Sequence, residues 1–280
     1  MKKLLFVFLN RFFPSVTARM ITKIMASPRV RPLKEFEEEV LEKAHKERVP
    51  YQHFEVQRYS WGNPSHPKAL MIHGWEGRAG NFGALVETLI QKGYHVIAYD
   101  APAHGKSSRG KVSMFQVLSF VSELLGIHQP EILISHSFGS VCAAFSLMDH
   151  PNLLIRQWFM VTTPNNFKDR INDMAQKFGL TRSTKNQLVK LLAKDTPVSM
   201  DEMNMKYVGE RISNLQEGII VHSVSDKILP ISNARKAQQA LPNTEMIELE
   251  GLGHYAILWS EGLKEILQNR LSAAVQKEAV

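Results

Sequence analysis

Cysteine is almost missing from this chain of 280 residues, which contains only Cys142. A single cysteine cannot form an intrachain disulfide, and it cannot supply the several thiolates of a cysteine-based zinc site. This usage is typical of a reducing compartment, so we expect a cytoplasmic protein. The 44% hydrophobic and 22% charged content lies within the range of folded globular proteins and excludes an intrinsically disordered chain.

Acidic residues are missing from the first 34 positions, which contain eight Lys and Arg residues and no Asp or Glu. The rest of the chain has 26 Lys and Arg residues against 27 Asp and Glu residues, so it is almost neutral. The net charge of +7 is therefore a local property of the N-terminus. A neutral body does not fit a nucleic-acid-binding protein, and we expect no nucleic-acid partner.

The same segment also lacks a long apolar run. Its longest one, residues 4–9, ends at Asn10 and Arg11, which makes it too short for a transmembrane helix and unlike a signal peptide. Residues 1–34 are predicted to form a basic amphipathic N-terminal segment. Two interpretations stay open: residues 1–30 contact the surface of an anionic membrane, or they pack against the protein's own body or a second subunit.

The remaining sequence alternates short apolar strands with helices. Strands are predicted at 54–59, 69–72, 95–99, 131–135, 158–161, 218–224 and 245–249. Helices are predicted between most of them, with a charged helix at 35–48 before the first strand and a closing helix at 256–276. This alternation predicts an α/β fold with a mostly parallel central sheet flanked by helices.

One interval of about fifty residues, 164–215, has only helical patterns. We predict a small helical cap there, inserted after the sixth strand into an α/β core of residues 35–163 and 216–280. An insertion at this point lies above the carboxyl ends of the strands, where open α/β sheets bind ligands. Its four methionines, which are Met174, Met200, Met203 and Met205, either line an adaptable apolar wall or pack the insertion's own core.

The strongest chemical motif is a tight turn that follows the strand at 131–135. Residues 135–139 read Ser-His-Ser-Phe-Gly, and a helix begins at once. Such a turn holds its central serine in a strained conformation at a helix N-terminus, where the dipole favours developing negative charge. Here the chain resembles the α/β-hydrolase family, although Ser135 stands where that family usually has glycine. The resemblance implies that Ser137 is the nucleophile.

Two further turns resemble those of the same family. Residues 73–75, His-Gly-Trp, follow the strand at 69–72. By resemblance they form the oxyanion loop, in which the backbone N–H groups of Trp75 and Phe138 stabilise the oxyanion. Residues 100–107, Asp-Ala-Pro-Ala-His-Gly-Lys-Ser, resemble the family's Asp-x-Pro-Gly-His-Gly-x-Ser turn, with alanine for its first glycine. We interpret His73 and His104 as structural.

The remaining two members of the predicted triad follow in the family's order Ser, Asp, His. Asp226 follows the strand at 218–224, and His254 follows the strand at 245–249 in a glycine-containing loop. The resemblance implies that His254 is the base and that Asp226 orients it. Asp201 and Glu250 are less favoured acids, and Glu250 stays a possible helper.

The four motifs lie within roughly residues 50–275 and predict a serine hydrolase that cleaves a carboxylic ester or a related acyl bond of a small molecule. A thioester, an amide or a C–C bond beside a ketone are alternatives. A non-catalytic binding protein on the same scaffold is another. No cofactor and no metal are expected, because the spacing of His73, His104 and His136 fits no metal-binding motif.

Overall fold

The computed structural model describes residues 2–194, 196 and 198–274, and its centre is one sheet of eight strands in the spatial order β1-β2-β4-β3-β5-β6-β7-β8. Both pairs that involve β2 are antiparallel, and all other pairs are parallel. The predicted α/β-hydrolase fold is thereby confirmed. The strands are β1 His45–Tyr51, β2 Phe54–Trp61, β3 Lys68–Ile72, β4 His95–Asp100, β5 Ile132–His136, β6 Ile155–Val161, β7 Leu215–Ser223 and β8 Thr244–Leu249.

Helices cover both faces of the sheet because its central strands are apolar on both sides. In β3, Leu70 and Ile72 face one core, whereas Ala69 and Met71 face the other. This is the two-residue period of a strand. Helices α5 (Met114–His128), α6 (Phe138–Asp149) and α10 (Ser232–Ala240) cover the first side. Helices α3 (Glu35–Glu42), α4 (Gly83–Gln91) and α11 (Glu261–Arg270) cover the second side.

Two predicted helices are wrong at their ends. The helix predicted at 35–48 ends at Glu42, and residues 45–51 instead form the edge strand β1, antiparallel to β2. The strand is polar and mostly exposed, so no apolar alternation marks it. The closing helix predicted at 256–276 is divided into a 3-10 turn at Ala256–Trp259 and α11, because the Ser260 hydroxyl caps α11 by accepting the N–H of Leu263. Residues 275 and 276 lie outside the described residues.

The helical insertion lies between β6 and β7, which confirms its place after the sixth strand. It contains α7 (Phe167–Lys177), α8 (Arg182–Leu192) and the short α9 (Met205–Gly209). Met200, Met203 and Met205 are buried in the same apolar cluster as Phe167 and Leu188. These three methionines therefore pack into an apolar core that the insertion shares with this face of the sheet, and Met174 lies partly buried against it.

The N-terminal segment forms two helices, α1 (Lys2–Phe12) and α2 (Pro14–Met25). Thr17 and Ala18 of α2 are buried, and α2 lies against α8 of the insertion. One side of this segment therefore packs on the protein's own body, as one of the two open interpretations has it. Among the described helices, none is both long enough and apolar enough to span a membrane.

Candidate active site

Ser137 occupies the turn between β5 and α6, at the carboxyl end of the central strands. Its backbone is strained, with φ 51° and ψ −120°. The following helix can begin directly behind it because residue 139 is glycine. A Cβ atom at Gly139 would lie 2.4 Å from the carbonyl oxygen of Ile72 and 2.7 Å from that of His73. The turn thus fixes the Ser137 hydroxyl at the N-terminus of α6.

Ser135 takes the position that is usually glycine, and its hydroxyl has a defined place in the core. It accepts a hydrogen bond from the indole N–H of Trp158 at 2.8 Å. It also lies 2.8 Å from the hydroxyl of Ser140. Because the serine hydroxyl is small and has hydrogen-bond partners, it fits at this buried position.

The structure brings together the three side chains that the sequence suggested for the triad. The Oγ atom of Ser137 lies 3.1 Å from Nε2 of His254. Nδ1 of the same imidazole lies 2.7 Å from Oδ2 of Asp226. The carboxylate and imidazole are buried. A serine hydroxyl, an imidazole and a carboxylate therefore form a continuous hydrogen-bonded chain.

Asp226 is held as an anion by hydrogen-bond donors around it. Its Oδ1 accepts the backbone N–H groups of Ile228 at 2.8 Å and Leu229 at 3.0 Å. Burial alone would raise the pKa of Asp226, but the hydrogen bond from His254 and those from the two backbone amides lower its pKa below the ordinary value. An ionised carboxylate at this place fixes which imidazole nitrogen carries the proton.

The loop after β3 approaches the serine closely. A Cβ atom at Gly74 would lie 3.0 Å from the carbonyl oxygen of His136 and 3.1 Å from Cβ of Ser137. The ring centroids of Trp75 and Phe138 are 6.0 Å apart, in an edge-to-face arrangement. Neither of their backbone N–H groups donates to a backbone oxygen in the described part of the chain. Both amides therefore have no backbone acceptor among the described residues.

His73 ties this loop to its neighbour. Its Nδ1–H donates to the carbonyl oxygen of Gly74 at 2.7 Å, and its Nε2 accepts the N–H of Ala101 at 3.0 Å. Burial lowers the pKa of His73 to about 3, so the ring stays neutral. His104 donates from Nδ1 to the carbonyl oxygen of Pro102 at 2.9 Å. Both imidazoles hold the backbone of the two turns.

Sequence reasoning missed the part that His136 plays in the site and considered it only as a metal ligand. It is the residue directly before the nucleophile, and its Nε2 lies 2.9 Å from the backbone carbonyl oxygen of His254. Its position in the turn was the available signal, but its partner is 118 residues away. Among the described residues, no group of three or more His, Cys, Asp or Glu side chains is arranged to hold a metal ion.

Neither of the other two acids that the sequence offered is hydrogen-bonded to the imidazole of His254 in the described part of the chain. The side chain of Asp201 is 76% exposed and pairs with Lys168 on the insertion. Glu250 is exposed. Glu76, which directly follows Trp75, accepts hydrogen bonds from the Arg29 guanidinium at 2.7 and 2.8 Å. The N-terminal segment thus reaches the loop beside Ser137.

Comparisons with known proteins agree with this architecture. A family model described as the α/β hydrolase fold matches residues 70–183. A serine hydrolase-like protein of Homo sapiens is 29% identical over 122 residues, which are 41% of this chain and 58% of that protein. The sn-1-specific diacylglycerol lipase ABHD11 of Danio rerio is 34% identical over 91 residues, which are 31% of this chain and 29% of that protein. The chain thus aligns with less than two thirds of either relative.

Solved structures share the fold over more of the chain. Est1E from Butyrivibrio proteoclasticus, solved with ferulic acid, matches with a TM-score of 0.63 and 15% identity over 80% of this chain and 96% of that chain. At this identity the likeness concerns the fold and not the substrate. The order of the strands, the strand-turn-helix unit around Ser137 and the family match together lead to one assignment. The chain has the α/β-hydrolase fold, and its residues 70–183 match the family model of that description.

Proposed function

We propose that the protein is a serine hydrolase that cleaves a carboxylic ester or a related acyl bond. The observation that carries the proposal is the chain of two hydrogen bonds from Ser137 Oγ through His254 to Asp226, with distances of 3.1 and 2.7 Å. This is the arrangement in which a serine hydroxyl becomes nucleophilic. The three side chains lie at the carboxyl ends of the strands, where open α/β sheets bind their ligands.

The first half of the reaction acylates the serine. Nε2 of His254 accepts the hydroxyl proton while Oγ of Ser137 forms a bond to the carbonyl carbon, and the carbonyl electron pair moves onto oxygen. The carboxylate of Asp226 stabilises the imidazolium that results. When the tetrahedral intermediate collapses, the bond to the leaving group breaks and that group takes the proton from Nε2. The acyl group then remains on Ser137.

Two backbone donors stabilise the negative oxygen that this step creates. One donor is the N–H of Phe138, at the N-terminus of α6. The other is the N–H of Trp75, in the loop after β3. Preorganised donors of this kind contribute about 10²–10³ each in kcat. Water then repeats the sequence: Nε2 of His254 takes its proton, its oxygen attacks the acyl carbon, and Ser137 regains its proton as the acid leaves.

The substrate is proposed to be a small molecule with an acyl group. The names of the relatives fit this class, since one is a diacylglycerol lipase and a structure of the same fold is a thioesterase domain from the curacin biosynthetic pathway, at 16% identity. Cleavage of a C–C bond beside a ketone uses the same three side chains. Non-catalytic binding on the same scaffold is the alternative from a different class.

A fluorophosphonate probe tests the proposal most directly. The purified protein is incubated with the probe, and the labelled peptide is mapped by mass spectrometry. We expect one label on Ser137 and none in Ser137→Ala. Hydrolysis of p-nitrophenyl esters of increasing chain length should fall in the same variant by about 10⁴-fold or more.

A matched control separates loss of the nucleophile from loss of a serine. Ser183→Ala changes an exposed serine of α8 and should leave both labelling and turnover as in the wild type. Absence of labelling in folded wild-type protein, with no ester turned over, would reject the enzyme in favour of a binding protein. Labelling without ester turnover would direct the search to C–C bonds beside a ketone.

A further inference from the structure

Helices α1 and α2 carry a large apolar surface that nothing in the described chain covers. Nine large apolar side chains within 21 positions are between 43% and 76% exposed. Folded monomers rarely expose contiguous apolar patches of more than a few hundred Å². We call these nine side chains the N-terminal apolar face: Leu4, Leu5, Val7, Phe8, Phe12, Phe13, Val16, Met20 and Ile24.

The face is continuous across the junction of the two helices. The ring of Phe8 lies 5.0 Å from that of Phe12 and 5.9 Å from that of Phe13, between centroids. In α2 the stripe continues through residues 16, 20 and 24, which are four positions apart and lie on one side of a helix. This stripe of neighbouring side chains differs from the scatter of single exposed apolar side chains that is normal for proteins.

The opposite side of the two helices is fixed to the insertion, so the face has a defined orientation. The side chain of Asn10 donates to the carbonyl oxygen of Gly179 at 2.8 Å and accepts the N–H of Thr181 at 3.1 Å. The hydroxyls of Thr181 and Thr184 both donate to the backbone carbonyl oxygen of Asn10. Next to this anchor, Phe178 is 60% exposed and extends the apolar surface.

The charges around the face have a single sign. The first 34 residues contain eight Lys and Arg residues and no acid. Arg11, Arg19 and Lys23 lie among the apolar side chains on the exposed side of the two helices. Long basic side chains of this kind keep their charge in water while their methylene groups lie along an apolar phase. Such a pattern is complementary to anionic lipid headgroups over acyl chains.

We propose that the N-terminal apolar face docks on the surface of an anionic lipid bilayer. The apolar side chains enter the boundary between headgroups and acyl chains, and the basic residues contact the anionic headgroups. This is the depth at which amphipathic interfacial helices lie. A second copy of this chain is a less suitable occupant, because two such faces would bring their cations together without any acid on the N-terminal segment to pair with them.

The inference does not depend on hydrolase activity, so its test uses the full chain with Ser137→Ala, which cannot consume lipid by the proposed reaction. Vesicles are floated through a density gradient with the protein. One set contains phosphatidylcholine alone, and the other contains an equal mixture of phosphatidylcholine and phosphatidylglycerol. We expect binding to the anionic vesicles and little binding to the neutral ones, with a loss of binding at high salt.

Two variants then separate the apolar and the basic contribution. Phe8→Ser with Phe12→Ser and Ile24→Ser should weaken the partition onto anionic vesicles by at least about tenfold. Arg11→Gln with Arg19→Gln and Lys23→Gln should weaken it by about fivefold for each charge, through loss of the preference for anionic lipid. All six side chains are exposed, so the fold should persist, which circular dichroism and thermal unfolding check.

The matched control changes two apolar side chains of similar exposure elsewhere. Ile127 is 61% and Leu154 is 56% exposed, and Ile127→Ser with Leu154→Ser should bind vesicles as before. The proposal is overturned if the apolar-face variant binds as tightly as its parent. It is also overturned if the parent protein does not bind anionic vesicles. In that case, a dimer that light scattering detects in the parent and not in the apolar-face variant would assign the face to a second copy of the chain.

Discussion

The imidazole of His136 donates from Nε2 to the backbone carbonyl oxygen of His254 at a distance of 2.9 Å. This bond joins the residue before the nucleophile to the backbone of the proposed base. The same loop is also tied to the turn after β7, where the N–H of Gly251 donates to the hydroxyl of Ser225 at 3.2 Å. We infer that His136 positions His254 toward Ser137.

Replacing His136 by phenylalanine should lower kcat by about tenfold, since a base displaced by a fraction of an ångström transfers the proton less well. The KM should change little, because the ring does not belong to the proposed binding donors. His136→Gln keeps a donor and should recover part of the loss. Steady-state kinetics on a p-nitrophenyl ester, together with the unfolding midpoint of each variant, measure this. Equal kcat in the phenylalanine and wild-type proteins would remove the positioning role.

Asp226→Asn should lower kcat by about 10³–10⁴-fold, because an amide in place of the carboxylate no longer fixes the imidazole tautomer or stabilises the imidazolium. Glu250→Gln is the matched control for the helper that the sequence left open, and it should keep wild-type kcat. Both variants are assayed with the same ester over a range of pH. A loss in Glu250→Gln comparable to that in Asp226→Asn would contradict the assignment of the acid.

Ala103→Gly should leave the stability unchanged or raise it by up to about 1 kcal/mol, because Ala103 has a φ of 66°, in the left-handed region. The position is the one where the resembling turn has glycine. Equilibrium unfolding in urea measures the free energy of unfolding. Ala237→Gly in helix α10 provides the contrast and should cost about 1 kcal/mol or more. A similar loss in both variants would show that the left-handed backbone carries no strain here.

Stability should fall as the pH drops from about 6.5 toward 4, and His128 should contribute to this. Burial, with the charges of Arg58 and Lys68, lowers the pKa of His128 to about 4. Below about pH 6.5 the unfolded chain takes up a proton at this imidazole while the folded chain does not, so acid favours unfolding by up to about 3 kcal/mol. Above that pH the imidazole is neutral in both states and has no effect.

His128→Gln should therefore flatten the dependence of the free energy of unfolding on pH between about 6.5 and 4. The variant also alters the hydrogen bond between His128 and the hydroxyl of Tyr99, so the slope is the readout and not the absolute stability. His45→Gln, which changes an exposed imidazole on β1, should keep the wild-type slope. An unchanged slope in His128→Gln would reject the contribution of the buried imidazole.

The local sequence pattern was sufficient to predict most of the strands and helices and to identify the serine turn as a candidate catalytic motif. Apolar or alternating runs bounded by glycine, proline or polar residues marked seven of the eight strands, and the signal was strongest at the centre of the sheet, where strands are buried on both faces and must be apolar. The tight turn at 135–139 was readable because only small residues fit on both sides of a strained serine. These turns resemble those of the α/β-hydrolase family. That resemblance then selected Asp226 and His254, because they follow Ser137 in the family's order.

Tertiary structure decided what depends on partners that are distant in sequence. Strand β1 exists because it pairs with β2, and its own polar residues gave no periodic signal. The bond from His136 to His254 spans 118 positions, and no local pattern encodes such a distance. The sequence likewise showed that the N-terminal helices are amphipathic and basic. Only their packing through Asn10 and Ala18 fixed which side is covered and which stays exposed, because burial depends on where the rest of the chain lies.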